Sequence, residues 1–335
     1  LSRWGIVLGQ PRGKKSALTP TQLRAFAAIV RFGSVRKAAA DLGVSEAAVS
    51  AHVGQLRKEL GDRLFTPTAA GLAFTPGGLR LASRSAELLG LQDRTILEVS
   101  RAGSGRRFLR VAASSLFAEH SAPGLLELFA GRAKDLDVEL SVYNPREFSS
   151  LLVTRAVDVA IGPPVPDCDE SLVYQPFLKF EVVMVVAPDH ALSSVTPTLG
   201  QLRDATWLLG PSAAGSIGLI PGILRRIQVP EQHEQIFQSH AAALEEAKRG
   251  KGVALAPSFA VGRDIAHGDL ARVTQPAIPT GGTWGALSLT GAGAHPAAAE
   301  LTRFVTTPRA TQAMLRGAGV TAGRFRPSVH VTLWS

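Results

Sequence analysis

The pattern of the chain changes once, at Gly103-Ser104-Gly105. Before that point apolar residues recur at three- and four-residue spacing, as on helices. After it, short apolar runs alternate with helical stretches. One layer architecture does not serve both patterns, so the chain divides into modules. Its 335 residues also exceed what one ordinary core supports.

The first module begins near Leu18. Thr19 caps a helix, Pro20 suits its first position, and Gln22 completes a capping box. Leu23, Phe26, Ala27 and Val30 follow at helical spacing, and Gly33 ends the helix. Ser34 caps a short second helix, Val35 to Leu42, which stops at Gly43. Ser45 caps a third, with Val49, Val53, Leu56 and Leu60 as its apolar seam and Gly61 as its stop. Two short helices around the tight Leu42-Gly43-Val44 turn form a helix-turn-helix signal. The second helix braces the third, which offers its first turn and polar face to a major groove. Leu64-Phe65 and Leu72-Ala73-Phe74 flank Thr66 to Gly71 as a small two-stranded wing.

Thr75-Pro76 opens a long helix reaching about Ala102. Leu79, Ala82, Ala86, Leu89, Ile96 and Val99 keep near-helical spacing, interrupted at Asp93, and Leu88, Leu91 and Leu97 broaden the stripe. A helix this long and apolar calls for a partner helix, so the stripe predicts dimerisation, with packing on its own domain as the alternative. Gly103-Ser104-Gly105 reads as a hinge.

Beyond the hinge, Phe108–Ala113, Val138–Val142, Val157–Ile161, Val182–Val186, Val253–Ala256 and Trp284–Leu289 read as strands. Leu125–Phe129, Phe148–Leu152 and Ala241–Lys248 read as helical. This rhythm predicts α/β layers with mostly parallel sheets, divided into two subdomains because some 210 residues are many for one sheet. The stretch from Arg324 to Ser335 has no convincing period and is expected to be loose.

Charge divides at the same place. Residues 1–110 hold 18 Lys+Arg and 7 Asp+Glu, whereas residues 111–335 hold 18 and 20. A basic first third faces a polyanion, a nucleic acid or an anionic membrane surface, or else is a solubilising face. The lone Cys168 excludes an internal disulfide and a cysteine-rich zinc module, and fits a reducing cytoplasm. Its acidic neighbours Asp167, Asp169 and Glu170 disfavour a thiolate. No apolar run approaches the roughly 18–20 residues of a membrane span. The stretch Leu1 to Lys15 lacks an adequate apolar region and cleavage signal, so residues 1–17 are expected to be a basic extension.

Enzymatic signatures are missing. Gly9 to Lys15 departs from a P-loop in glycine spacing, and no Ser or Thr follows its first Lys. Gly210-Pro211-Ser212 lacks a nucleophile elbow, and His233-Glu234 is not followed by a zinc-spaced His. No catalytic residue, metal site or cofactor is therefore expected.

The stretch Leu18 to Gly78 resembles the winged helix-turn-helix of LysR-type transcriptional regulators. The matching residues are Gln22-Leu23-Arg24-Ala25-Phe26, Gly33-Ser34, Ala38-Ala39, Leu42-x-Val44-Ser45, Ala48-Val49-Ser50, Leu56, Leu60-Gly61, Leu64-Phe65, Thr75 and Gly77. The likeness continues more weakly through Leu109–Ala112, Asp158–Gly162, Val182–Leu192 and Gly250–Pro257. It implies an N-terminal winged helix-turn-helix over 18–75 and a linker helix and hinge over 76–105. An effector domain of type II periplasmic-binding-protein-like architecture follows over 106–317. Subdomain I then covers about 106–162 and 286–317, subdomain II about 163–285, with a tail at 318–335. It further implies a cytoplasmic homodimer or dimer of dimers that binds double-stranded DNA, a small effector and RNA polymerase, with no membrane partner.

On that likeness, Ser34 and Ser45 serve as helix caps or phosphate donors. Ser45, Glu46, Ala47 and Ser50 lie at the exposed start of the third helix, while Arg36, Lys37, Arg57 and Lys58 are candidate phosphate contacts. Glu46-Ala47 stands where the family commonly has Gln-Pro, and Glu accepts only from cytosine N4. Pro67 replaces a usual wing Arg, and His52 stands where Arg or Gln is frequent. The effector wall would include Ser114-Ser115-Leu116, Ser212 or Ser216, and Ser239-His240, bordered by Gly162-Pro163 and Pro257. Hydroxyls and backbone N–H groups there suit an anion. The competing interpretation places a binding or enzymatic activity in the α/β region, with only nonspecific DNA association.

Overall fold

The structure is a computed structural model, and it describes residues 18–68, 71–102, 106–133, 135–166, 168–274, 278–291, 295–316 and 329–332. The expected basic extension at 1–17, the hinge at 103–105 and most of the tail lie outside the described residues. The chain forms two compact units, one ending at Asp93 and one beginning at Arg94.

In the first unit, α1 (Pro20–Phe32) starts from Thr19. Its Oγ1 accepts from the Gln22 amide at 3.3 Å, while the Thr19 amide donates to Gln22 Oε1 at 2.8 Å. Helices α2 (Val35–Leu42) and α3 (Glu46–Leu60) start from Ser34 and Ser45, whose hydroxyls accept from Lys37 and Ala48 amides. All three helices end on glycines with φ near 65° (Gly33, Gly43, Gly61). Phe26, Ile29, Ala38, Val49, Val53, Leu56 and Phe65 close one small core.

Strands β1 (Phe65–Thr68) and β2 (Gly71–Phe74) form the antiparallel wing. Its base is tied by Asp62, whose carboxylate accepts from the Leu64 amide at 2.6 Å and the Thr75 hydroxyl at 2.7 Å. These bonds hold the Asp62 carboxyl below its ordinary pKa. The Thr75 hydroxyl also accepts from the Gly78 amide at 2.9 Å, starting α4 (Pro76–Ala102). Leu64 adopts φ 64°, and its carbonyl lies so close to Gly78 that a Cβ there would overlap it. Leu88, Leu91, Ile96 and Val99 are exposed and share one side of α4, Leu79 is exposed on the opposite side, and Leu81, Ala82 and Leu89 pack on the core of the first unit.

The second unit contains two lobes joined by shared strands. The first lobe carries β3 (Arg107–Ala113), α5 (Ser115–His120), α6 (Ala122–Arg132), β4 (Leu136–Val142), α7 (Phe148–Val153) and β5 (Val159–Gly162). Then comes β6 (Leu172–Val186), followed in the second lobe by α8 (Leu199–Asp204), β7 (Trp207–Leu209), α9 (Leu219–Ile227), β8 (Glu234–Ile236), α10 (His240–Lys248), β9 (Val253–Pro257), α11 (Ser258–His267) and β10 (Ala271–Arg272). The chain returns through β11 (Gly281–Leu289) to α12 (Pro296–Val305), α13 (Pro308–Leu315) and β12 (Val329–Thr332).

Strand order is β12-β4-β3-β5-β11-β6-β9-β7-β8, with β10 beside β6. The first half of β6, to Glu181, pairs with β11; its second half, Val182 to Val185, pairs with β9. The sequence shows only the apolar second half as a strand. The first half alternates and carries Gln175, Pro176, Lys179 and Glu181, which mask its character. The sheets are mixed rather than mostly parallel, because every pairing of β6 and β11 is antiparallel. Residues 329–332, expected to be loose, add a parallel edge strand beside β4. Asp158, just before β5, takes a 2.7 Å ion pair from Arg94 and a 3.3 Å one from Arg110, its side chain nearly inaccessible.

The wing base gives a paired test. Gly78→Ala must displace the Leu64 carbonyl and is expected to destabilise the first unit by about 1–3 kcal/mol. Gly54, inside α3, has open space where a Cβ would stand, so Gly54→Ala is expected to stabilise it by roughly 0.5–1 kcal/mol. Chemical denaturation of both variants checks the opposite signs.

Candidate nucleic-acid interface and effector cavity

The helix-turn-helix sorts its side chains by depth. Val49, Val53 and Leu56 of α3 face the core, whereas Glu46, Ala47, Ser50 and Lys58 are exposed. Arg36 and Lys37 of α2 are exposed as well, and Ser34 and His52 are half-buried. The hydroxyls of Ser34 and Ser45 are both engaged in capping. The exposed face is therefore a short polar stripe on α3 flanked by cations, the size and chemistry of a major-groove reader.

Arg57 departs from the expected phosphate-contact role. Its Nη2 donates to the Phe65 carbonyl at 2.9 Å, and its guanidinium lies 4.7 Å from the Phe65 ring centre. It ties the last turn of α3 to β1. Helical spacing alone does not distinguish that contact from exposure to solvent.

In the second unit a cavity of about 610 Å³ opens between the lobes. Five of the expected effector residues line it: Ser114, Ser115, Leu116 and Pro163 from the first lobe, and Ser212 from the second. Ser114 is buried, and its hydroxyl does not cap α5. The Ser114 and Ser212 hydroxyls are both buried without a hydrogen-bond partner among the described residues. The first turns of α5, of the 3-10 turn Pro211–Ala214 and of α9 all border the cavity, and none has a side-chain cap bond. No Lys, Arg or His lines it among the described residues, and the Glu147 carboxylate stands on its wall.

The remaining expected residues do not line the cavity. Gly162 packs against the Phe148 ring and accepts from the Tyr174 hydroxyl at 3.2 Å. Ser216 accepts from Arg225 through its carbonyl. Ser239 caps α10, and Pro257 ends β9. His240 is buried against His120, with ring centres 5.6 Å apart.

Sequence reasoning missed Asn144, Glu147, Phe180, Thr283 and Trp284 on the wall. Asn144 and Glu147 carry a local signal, a capping box around Pro145–Glu147. Phe180 and Trp284 come together, 4.0 Å between ring centres, only through the pairing of β6 with β11.

Comparison with known proteins agrees with this two-part architecture. Residues 20–79 match the family model for bacterial regulatory helix-turn-helix proteins of the lysR family, and residues 102–308 match the LysR substrate binding domain. The chain belongs to the LysR family of transcriptional regulators. An uncharacterized HTH-type transcriptional regulator of Mycobacterium tuberculosis H37Rv is 54% identical over 95% of this chain and 100% of its own. The RuBisCO operon transcriptional regulator of Allochromatium vinosum is 25% identical over 86% of this chain and 96% of its own. Among solved structures, a probable transcriptional regulator from Pseudomonas aeruginosa superposes with a TM-score of 0.52 at 22% identity, covering 85% of this chain and 95% of that one. A variant of full-length OxyR from the same organism gives 0.52 at 19%, covering 90% and 99%. At these identities the two structures share the fold. No helix among the described residues is long and apolar enough to cross a membrane.

The exposed and inward cations separate experimentally. Arg36→Ala is expected to weaken binding to all DNA sequences and lower the salt slope by about one. Arg57→Ala is expected instead to lower the melting temperature of the first unit. Salt-series binding and thermal melts of the two variants check this contrast.

Proposed function

We propose that this regulator is a sequence-specific DNA-binding homodimer or dimer of dimers, controlled by a small anionic effector held between the two lobes. The cytoplasm is its compartment, RNA polymerase its protein partner, and catalysis no part of its role. Ser45, Glu46, Ala47, Ser50 and His52 address the groove, with Ser34, Arg36, Lys37 and Lys58 on the phosphates. The exposed Leu88, Leu91, Ile96 and Val99 pair α4 with a second copy.

The observation that carries the effector reading is a pair of serines, Ser114 and Ser212, that line one cavity from opposite lobes and whose buried hydroxyls have no partner among the described residues. A buried hydroxyl without a partner costs on the order of 1–3 kcal/mol, and a ligand oxygen removes that cost. The uncapped helix starts beside them supply N–H donors and positive dipole ends. An anion is thus held by hydroxyls and amides rather than by a guanidinium, away from the Glu147 carboxylate. Leu116, Phe180 and Trp284 accept its apolar body.

The direct test is footprinting on the gene's own upstream region against a scrambled competitor, followed by a screen of small carboxylates for altered protection. Half-sites about one helical turn apart are expected. Ser114→Ala and Ser212→Ala are each expected to weaken the response to an active carboxylate by roughly 5–20-fold in concentration, without changing binding to DNA alone. Sequence-blind binding lost at moderate salt, or serine variants that respond like the native protein, would contradict the proposal.

A further inference from the structure

The two lobes also meet at a place the cavity does not include. The Glu119 carboxylate, on α5 of the first lobe, accepts from the His240 amide at 2.8 Å and the Ala241 amide at 2.6 Å. These are the first two residues of α10 in the second lobe. A carboxylate from one lobe therefore caps a helix of the other. Beside it, the imidazoles of His120 and His240 stack across the same junction, 5.6 Å between centres and 18° from parallel. Both are buried, and His120 Nε2 and both His240 ring nitrogens lack a hydrogen-bond partner among the described residues. Gly210 makes room for this arrangement, since a Cβ there would overlap the His240 ring.

We propose that His120, His240 and Glu119 form a proton-sensitive latch that holds the lobes together when both imidazoles are neutral and releases them when the imidazoles take up protons. This goes beyond the effector reading and requires only that the lobes separate.

The geometry supplies the reason. Three of the four ring nitrogens have no hydrogen-bond partner among the described residues to share a proton's charge, and a second charge would face the first. Burial holds His120 down to about 3 and His240 down to about 4; the neighbouring His240 charge lowers His120 further, and Glu119 partly opposes this. The charged group that faces the pair is Glu119. The turn Gly210–Ala214, β7 and β9 carry no ionisable side chain. On α10 itself, Glu246 is paired with Arg249 and Lys251, and Lys248 with Glu245 and Asp264.

The sign follows from linkage. Once the lobes part, an imidazole in water returns to an ordinary value near 6.5. As pH falls through that value the open form binds protons that the latched form does not accept until about pH 4. The closing equilibrium therefore carries no proton penalty at pH 8 and falls about tenfold per released imidazole by pH 5.5.

Hydrogen–deuterium exchange on the full-length protein reads this directly, because the latch covers the His240 and Ala241 amides. After correction for intrinsic rates, their protection is expected to fall tenfold or more from pH 8 to pH 5.5. Leu125 and Leu126 in α6 should stay protected at both pH values. His120→Phe with His240→Phe is expected to reduce the fall to under twofold while leaving the Glu119 carboxylate in place. Glu119→Gln, which keeps the shape but loses the charge and one acceptor oxygen, is expected to lower protection already at pH 8. Protection in the native protein that is flat with pH overturns the proposal without needing a variant. So does a fall shared by α6, an undiminished fall in the double variant, or unchanged protection in Glu119→Gln.

Discussion

The sensor half of this protein depends on one strand serving two sheets. In β6 the backbone is continuous while its partner changes from β11 to β9 between Glu181 and Val182. A strand can do this only if its hydrogen-bonding edges are free on the correct side at the correct residue, so register is fixed on both halves together. The returning strand β11 follows the same path, and its register shifts between Trp284 and Gly285 just after it has passed the junction. Close approach of rings makes glycine necessary there. A Cβ on Gly282 would meet the Phe180 ring, and one on Gly285 the Tyr174 ring. The floor of the cavity, with Phe180, Gly282 and Trp284, is thus the pair of crossing strands themselves. The strands that join the two lobes therefore also form part of the cavity wall.

The DNA-binding half depends on a different constraint, the closing of a small core by helix ends. Three left-handed glycines stop three helices within thirty residues, which lets α1, α2 and α3 pack at steep angles around Phe26 and Val49. The wing is then locked by groups that carry no helix or strand signal. Asp62 bonds backwards to Leu64 and Thr75, Gly78 approaches the Leu64 carbonyl, and Arg57 reaches the Phe65 carbonyl from α3. The rigidity of the reading helix comes from this knot as much as from its apolar seam.

These two constraints explain what the sequence made legible. Caps and glycine stops act within a few residues, so Thr19, Gln22, Gly33, Ser45 and Gly61 mark the helices directly. The buried runs Val159–Gly162 and Val253–Pro257 declare themselves by composition alone. Function residues in the effector domain are less legible because a Ser at a helix start looks the same wherever that start points. Ser114 and Ser239 both precede helices; one lines the cavity with its hydroxyl unpartnered among the described residues, the other spends its hydroxyl on the Ala242 amide. Only the long-range pairing that orients each lobe decides between them. For the same reason Arg57 reads as a surface cation, although the wing, eight residues on, captures it.

The same orientation places the two lobe junctions on one structural part. Gly210 seats the His240 ring, and Ser212, two residues on, lines the cavity. Between them the 3-10 turn Pro211–Ala214 begins with a proline, so little backbone freedom separates the two contacts. The turn also packs against α5, whose first residues line the cavity and whose last two are Glu119 and His120. A ligand bridging Ser114 and Ser212, as proposed, would act on α5 and the turn Pro211–Ala214, and the Glu119 cap joins α5 to α10 beside that turn. On that reading, occupancy of the cavity and closure of the junction are coupled through two short elements, one from each lobe.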